Sequence, residues 1–160
     1  MSFIILLIIF VLSNKNMFSK SCEYGIRASI YIAKHSLKNQ KVSLKEVALH
    51  TDSPPAFMAK ILQKLTRTKV LVSIKGPNGG FFVPLEKIDK VSLLTIVLAI
   101  DGDGIFEDCT LGLRRCDGQK PCPMHFSFIK IREEMRLGLE TKSLKSLADE
   151  VSDGITFLKR

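Results

Sequence analysis

The sequence predicts a mainly α-helical fold with one small β-hairpin: a winged helix-turn-helix followed by a long dimerisation helix. Three observations carry this. Apolar residues recur at three- and four-residue steps from Ser19 to Leu37, as on one face of an amphipathic helix. Two short helical patterns follow, each with a start signal and little chain between them. A turn, Gly76-Pro77-Asn78-Gly79-Gly80, then separates two strand-like runs.

In the first helix Cys22, Ile26, Ile30, Ala33 and Leu37 share the apolar face. Ser43 reads as the N-cap of the next, with Glu46 completing a capping box before a short helix ending near His50. Asp52 or Ser53 is expected to open the third helix, because Pro54 and Pro55 suit a first turn. Phe57, Ile61, Leu62 and Leu65 line its apolar face. Two short helices joined by a tight turn, after a longer one, make a helix-turn-helix unit. Leu71 to Lys75 and Phe81 to Pro84 read as hairpin strands, with Asn78-Gly79 and the flanking glycines supplying positive φ values. A hairpin in that place is a wing. Ser92 to Ile100 is a strongly apolar helix, expected to be buried. After Asp101-Gly102-Asp103-Gly104 comes a cysteine-bearing loop, then a helix with Met124, Phe128, Ile131 and Met135 on one face. That stripe exceeds what a small monomer covers, which marks a dimerisation helix, with a shorter helix from Ser143 to Val151 packing nearby.

A hydrophobic fraction of 46% over 160 residues is enough for one real core, and 25% charged residues is ordinary for a soluble chain. The formal net charge of +8 favours an acidic partner, either nucleic acid or a membrane surface. The aliphatic run from Phe3 to Leu12 has no preceding basic residue and no cleavage pattern, so it is a poor secretory signal. It is also roughly half the ~20 residues that span a bilayer. The expectation is that Met17 is the biological start and residues 1–16 a non-native extension, a short membrane anchor being the competing reading. A cytoplasmic protein without stable membrane association follows from the first reading. His35 and His50 are read as surface residues.

The positive charge is placed informatively. Between Ser53 and Leu85 there is no acidic residue, whereas Lys60, Lys64, Arg67, Lys69 and Lys75 are basic. On the third helix Lys60, Gln63, Lys64 and Arg67 stand three or four apart, opposite the apolar face, as one solvent-facing stripe. Lysine and arginine there neutralise phosphates and release counterions, the main source of affinity for DNA. Gln63, Lys60 or Lys64 can read a base edge from the major groove, where the second helix of such a unit lies. Ser53 at the helix start, and Lys75, Asn78, Gly79 and Gly80 on the wing, complete the expected contacts with a double-stranded operator. For any one lysine a solvated face is the blander reading; the whole unit points to DNA.

Four cysteines are present: Cys22, Cys109, Cys116 and Cys122. Cys22 lies on the apolar face of its helix and reads as core. The other three fall within one glycine-containing loop, with His125 three residues after the last thiol. Thiolates suit zinc or an iron–sulfur cluster. Arg114, Arg115 and Lys120 favour the thiolate form and offset a cluster's charge. Paired C-x2-C knuckles, usual in structural zinc sites, are absent. His125 and Glu23, the latter from the first helix, are the candidates for a fourth ligand; their competing roles are a helix cap or surface residue and an ion pair with Arg27. There is no catalytic constellation beyond the cysteines, so an enzyme is not expected.

From Met17 to about Gly154 the chain resembles the Rrf2 family of regulators. The resemblance rests on Glu23-Tyr24-Gly25-Ile26-Arg27-Ala28, on Ile61-Leu62-Gln63-Lys64-Leu65, on Lys75-Gly76-Pro77-Asn78-Gly79-Gly80-Phe81, and on the cysteine trio followed by His125. The trio's first interval is one residue longer than the family's. The resemblance implies a homodimer, with Cys109, Cys116 and Cys122 as cluster ligands. It places His125 where IscR-like members carry the fourth ligand of a 2Fe–2S cluster, and Glu23 where NsrR-like members carry an acidic ligand from the other subunit. A 2Fe–2S centre is favoured over 4Fe–4S. The family's start falls at Met17. Ala59 replaces a glutamate that helps IscR-like members discriminate sites, so operator preference does not carry over. The chain divides accordingly into the extension 1–16, a winged helix-turn-helix domain 17–100, a cysteine loop 101–122, and a dimerisation and C-terminal segment 123–154. The function implied is a DNA-binding transcription regulator sensing iron–sulfur status, redox state or nitric oxide, with no small-molecule substrate. The alternatives are the same dimer with zinc or a bare thiol switch, an iron–sulfur electron carrier, and a membrane-tethered regulator.

Overall fold

The computed structural model describes residues 17–109, 111–113 and 117–158; the expected extension 1–16 lies outside them. Helix α1 (Lys20–Ser36) starts at Ser19, whose side chain accepts the Cys22 N–H. Its buried face is wider than the periodicity predicted: Gly25, Ala28, Ser29, Ile32 and Ser36 join Cys22, Ile30 and Ala33, whereas Ile26 and Leu37 are only half-buried. The cause is that α1 is central, touching α2 (Leu44–Thr51), α3 (Pro55–Arg67), α5 (Leu93–Asp101) and α8 (Leu144–Ser152).

The capping box on α2 is present. Ser43 Oγ accepts the Glu46 N–H at 3.3 Å and the Glu46 carboxylate accepts the Ser43 N–H at 2.8 Å. The Ser43 hydroxyl, which donates to the Glu46 carboxylate at 2.6 Å, and then the Ser43 N–H hold that carboxyl below its usual pKa. The start of α3 differs from expectation. Asp52, at φ 54°, closes α2, its N–H turned back onto that helix's carbonyls, and Ser53 Oγ lies 3.1 Å from Thr51 Oγ1. The N-cap of α3 is therefore Pro54, with Pro55 in the first turn. Met58, Ile61, Leu62 and Leu65 are its buried residues, and the half-buried Phe57 meets Tyr24 edge-on.

Strands β1 (Val72–Ile74) and β2 (Gly80–Phe82) form the hairpin, pairing Val72 with Phe82 and Ile74 with Gly80. The positive φ values fall at Gly76 and Gly80 and not at Asn78-Gly79. Pro77 presets the first central residue of a turn that closes from the Gly79 N–H to the Gly76 carbonyl at 2.9 Å. Val42 bridges to Phe81, fixing the wing to the α1–α2 connection.

Two four-residue helices, α4 (Leu85–Ile88) and α6 (Gly104–Glu107), were not expected, being too short for any periodicity to reveal. Helix α5, expected over Ser92 to Ile100, runs from Leu93 to Asp101 with Ser92 as its N-cap. Helix α7 (His125–Thr141) buries only His125 and Leu139. Helix α8 packs against α1 and not chiefly against α7. The reason is a backbone staple: Leu93 N–H donates to the Lys142 carbonyl and Leu144 N–H to the Val91 carbonyl, both at 2.8 Å. Ile32, Met58, Leu62, Leu65, Ile96 and Leu144 are fully buried, so the core sits where α1, α3, α5 and α8 meet.

Candidate nucleic-acid interface and cysteine loop

The buried side of α3 is fixed by Met58, Ile61, Leu62 and Leu65, and the residues turned away from it are Ala56, Lys60, Gln63, Lys64 and Arg67, all exposed. Lys64 stands at the edge of this stripe nearest α5, and its ammonium donates to the Ile100 carbonyl. An open groove of about 370 Å³ runs between α3 and the hairpin, lined by Ala59, Gln63 and Arg67 on one side and Ser73 and Phe81 on the other. Lys75 and Asn78 are exposed on the wing, and Ser53 is half-buried at the α2–α3 corner.

Gly79 and Gly80 are explained by the chain's own packing. A Cβ on Gly79 would lie 2.2 Å from the Ile74 carbonyl oxygen, and one on Gly80 2.9 Å from that of Val42. Lys41, absent from the expected site, belongs beside the wing. Its Nζ donates to the Asn78 carbonyl at 3.2 Å, adding a cation at the tip. It stands outside the acid-free window that drew attention to this region, and only the Val42–Phe81 bridge brings it there.

The far end of α5 is densely bonded. The Asp101 carboxylate accepts from the Ser19 N–H at 2.9 Å and from the Ser19 hydroxyl, and it faces the Cys22 thiol. Cys22 is wholly buried, as expected of a core residue. Burial, and then the Asp101 charge and hydrogen bond, push its pKa up to about 12, which keeps it a thiol. Glu23 pairs with Lys20 at 2.8 Å, and the Arg27 guanidinium, its partner in the competing reading, lies 4.5 Å over the Tyr24 ring. His35 and His50 are not plain surface residues either. Tyr31 is stacked on His50 with centroids 3.9 Å apart and meets His35 at 4.4 Å, and all three are half-buried.

In the loop, Cys109 and Cys122 are half-buried free thiols, while Cys116, Arg114 and Arg115 lie outside the described residues. His125 opens α7, its N–H donating to the Cys122 carbonyl at 3.0 Å. Its side chain is 5% exposed, more enclosed than a surface or capping role predicts. Its Nε2 points toward Gly118, 3.8 Å from where a Cβ would stand. Among the described residues no three His, Cys, Asp or Glu side chains converge. Arg132 Nη1 donates to the Phe106 carbonyl at 3.2 Å and Arg136 lies over the Phe106 ring, tying α6 to α7. Among the described residues no helix is long and apolar enough to cross a membrane.

The family model described as "Rrf2: Iron-dependent Transcriptional regulator" matches residues 18–150. A protein of Aquifex aeolicus described as an HTH-type transcriptional regulator is 26% identical over 133 residues, covering 82% of this chain and 90% of its own length. IscR of Vibrio atlanticus is 26% identical over 102 residues, 64% of this chain and 57% of its own. Among solved structures, CymR of B. subtilis, a global cysteine regulator, is similar at TM-score 0.66 and 22% identity, covering 82% of this chain and 95% of its own. IscR of T. potens is similar at TM-score 0.67 and 16% identity, covering 87% and 90%.

Proposed function

Because the chain belongs to the Rrf2 family of DNA-binding transcriptional regulators, we propose that it acts as a homodimer on a double-stranded operator, with Cys109, Cys116 and Cys122 as its sensing site. The observation that carries the DNA reading is the exposed Lys60–Gln63–Arg67 face of α3, flanked by a wing that carries Lys75 and Asn78 with Lys41 bonded to its tip. Lys60 and Arg67 neutralise phosphates, Gln63 reaches base edges in the major groove, and the wing meets the adjacent backbone. Ser53, half-buried at the α2–α3 corner with its N–H donating to the Ala48 carbonyl, can offer a phosphate only its hydroxyl. A twofold protein then requires a roughly palindromic operator.

The donor set suits an iron–sulfur cluster. Cys109 and Cys122 are half-buried rather than sealed in the core, and His125 is enclosed with Nε2 toward the loop. These residues with Cys116 would hold it, and Glu23, in the first turn of α1, is the acidic alternative to His125. A bound cluster, 2Fe–2S by preference, would supply sensitivity to oxidation, nitric oxide or iron supply. The chain's part is to fix the loop ends: Arg132 and Arg136 hold Phe106 before it, and the His125 N–H holds Cys122 after it. Movement of those loop ends would then shift the population toward a dimer with differently spaced recognition helices.

Anaerobic purification with visible absorption and iron and sulfide analysis tests this. A visible band with stoichiometric iron and sulfide, lost in Cys116→Ala, is expected. A colourless protein, still so after reconstitution, refutes the cluster. The second reading is a thiol switch. It is favoured by the half-buried free thiols Cys109 and Cys122 and by the fold shared with CymR, known also in an oxidised form from Staphylococcus aureus. In that case operator affinity changes on oxidation of the metal-free protein.

A further inference from the structure

The recognition face is used by Lys60, Gln63 and Arg67, which leaves Lys64 to be explained. Its Nζ reaches sideways to the Ile100 carbonyl. That carbonyl is in the last turn of α5, where carbonyls lack intrahelical partners and a cation is favoured by the helix dipole. The next residue, Asp101, anchors the start of α1 through Ser19 and Cys22. Gly25 marks the same crossing: a Cβ there would lie 2.1 Å from Ile100 Cδ1 and 3.3 Å from Ile61 Cγ2, so α1, α3 and α5 meet without spare room. From Gly102 the chain leaves for α6 and the cysteines, with Phe106 gripped by α7.

We infer that Lys64 is a positioning residue and not a phosphate contact: it latches the recognition helix to the root of the cysteine loop at Ile100–Asp101. Movement of the loop root is thereby passed to α3 through one side chain, while the remaining face of α3 stays free for DNA. The inference rests on the DNA-binding reading for its functional consequence, and on the α3–α5 contact alone for its structural one.

Three proteins test it, wild type, Lys64→Met and Lys64→Arg, with Lys60→Met as the phosphate-contact control. Binding to operator duplex is measured against salt concentration for cluster-loaded and metal-free protein, together with backbone hydrogen exchange without DNA. A lysine that neutralises one phosphate contributes about 0.9 to the slope of log K against log salt, per subunit. Lys60→Met is expected to lower the slope by that amount. Lys64→Met is expected to keep the wild-type slope, to reduce the affinity ratio between loaded and metal-free protein severalfold, and to speed exchange at the end of α5 and along α3. Lys64→Arg, which keeps a donor in reach, is expected to restore the ratio and the protection.

A slope lowered in Lys64→Met as in Lys60→Met overturns the latch, and so does a wild-type ratio kept by Lys64→Met. Failure of the underlying reading looks different: the wild type then binds no duplex at any salt, or binds equally with and without the cluster. Exchange alone then decides, and unchanged protection at α3 and α5 in Lys64→Met overturns the contact.

Discussion

Helices α1 and α7 are both seventeen residues long, yet they live in opposite surroundings. Helix α1 is enclosed by four other helices and buries residues on most of its circumference. Helix α7 buries only His125 and Leu139, while Phe126 is 73% exposed and Leu137 61%. Beyond Asp101 the described buried apolar residues are just Phe106, Leu139, Leu144 and Ala148. The N-terminal half, its core closed by α8, is thus complete as a folding unit, whereas α7 shows apolar surface of the kind that marks an interface. The same helix length serves as a pillar in one case and as a docking edge in the other, the second role being the proposed dimer.

The sharpest way to break this comparison is to cut into each helix. Ile32→Ala removes a fully buried side chain from α1 and should cost about 2–5 kcal/mol, seen as a large drop in denaturation midpoint. The same measurement on the metal-free chain with Leu137→Ala should move by no more than about 0.5 kcal/mol at low protein concentration, as for an exposed residue. Equal losses would mean that α7 is already packed within one chain.

Next in size is the effect on assembly. Ile131→Asp places a charge on the exposed side of α7. Sedimentation should show a shift from dimer to monomer with the far-ultraviolet spectrum kept, and operator affinity should fall by at least roughly tenfold as the two recognition helices lose their linkage. A sedimentation profile identical to wild type would remove α7 from the interface.

Ser43→Ala tests the winged half from its surface and should cost about 1 kcal/mol, the usual value of an N-cap. Its pH dependence has a definite sign. The folded pKa of Glu46 is below its ordinary value of 4.5, so its contribution is present above that pH and is lost as pH falls through the folded pKa. Acid unfolding of Ser43→Ala should therefore be shallower below about pH 4.5 than that of the wild type. Smallest of all, Lys20→Met removes the exposed partner of Glu23 and should change stability by only about 0–0.5 kcal/mol.

How far the sequence could be read follows the same division. Where a local rule decides conformation it was legible: the Ser43–Glu46 box stands as expected, and so do Ile61, Leu62 and Leu65 on the apolar side of α3, where Met58 takes the buried place expected of Phe57. The misread positions are those decided by tertiary contact. Asp52 and Ser53 carry the right chemistry to cap α3, but a left-handed Asp52 ends α2 better. Lys64 is exposed on the stripe as its spacing predicts, but only the approach of α5 shows that its ammonium has a carbonyl to meet. Lys41 joins the wing through a bridge that no local pattern announces. His50 finds its stacking partner on another helix. The cysteine loop was legible as a donor set from residue type and spacing, while its assembly depends on Cys116, outside the described residues.

The staple between residues 91–93 and 142–144 gives α7 a fulcrum. Its C-terminal end is sewn to the folded half, so any reorientation of the helix pivots there. At 1.5 Å per residue the arm is roughly 25 Å long, and a tilt of about 10° carries the His125 end through about 4 Å. The cysteine loop thus sits at the long end of a lever: wide excursions there arrive at α8 and the core geared down to small ones. Built this way, the chain lets the His125 end of α7 swing widely without unseating the helices that hold the exposed face of α3.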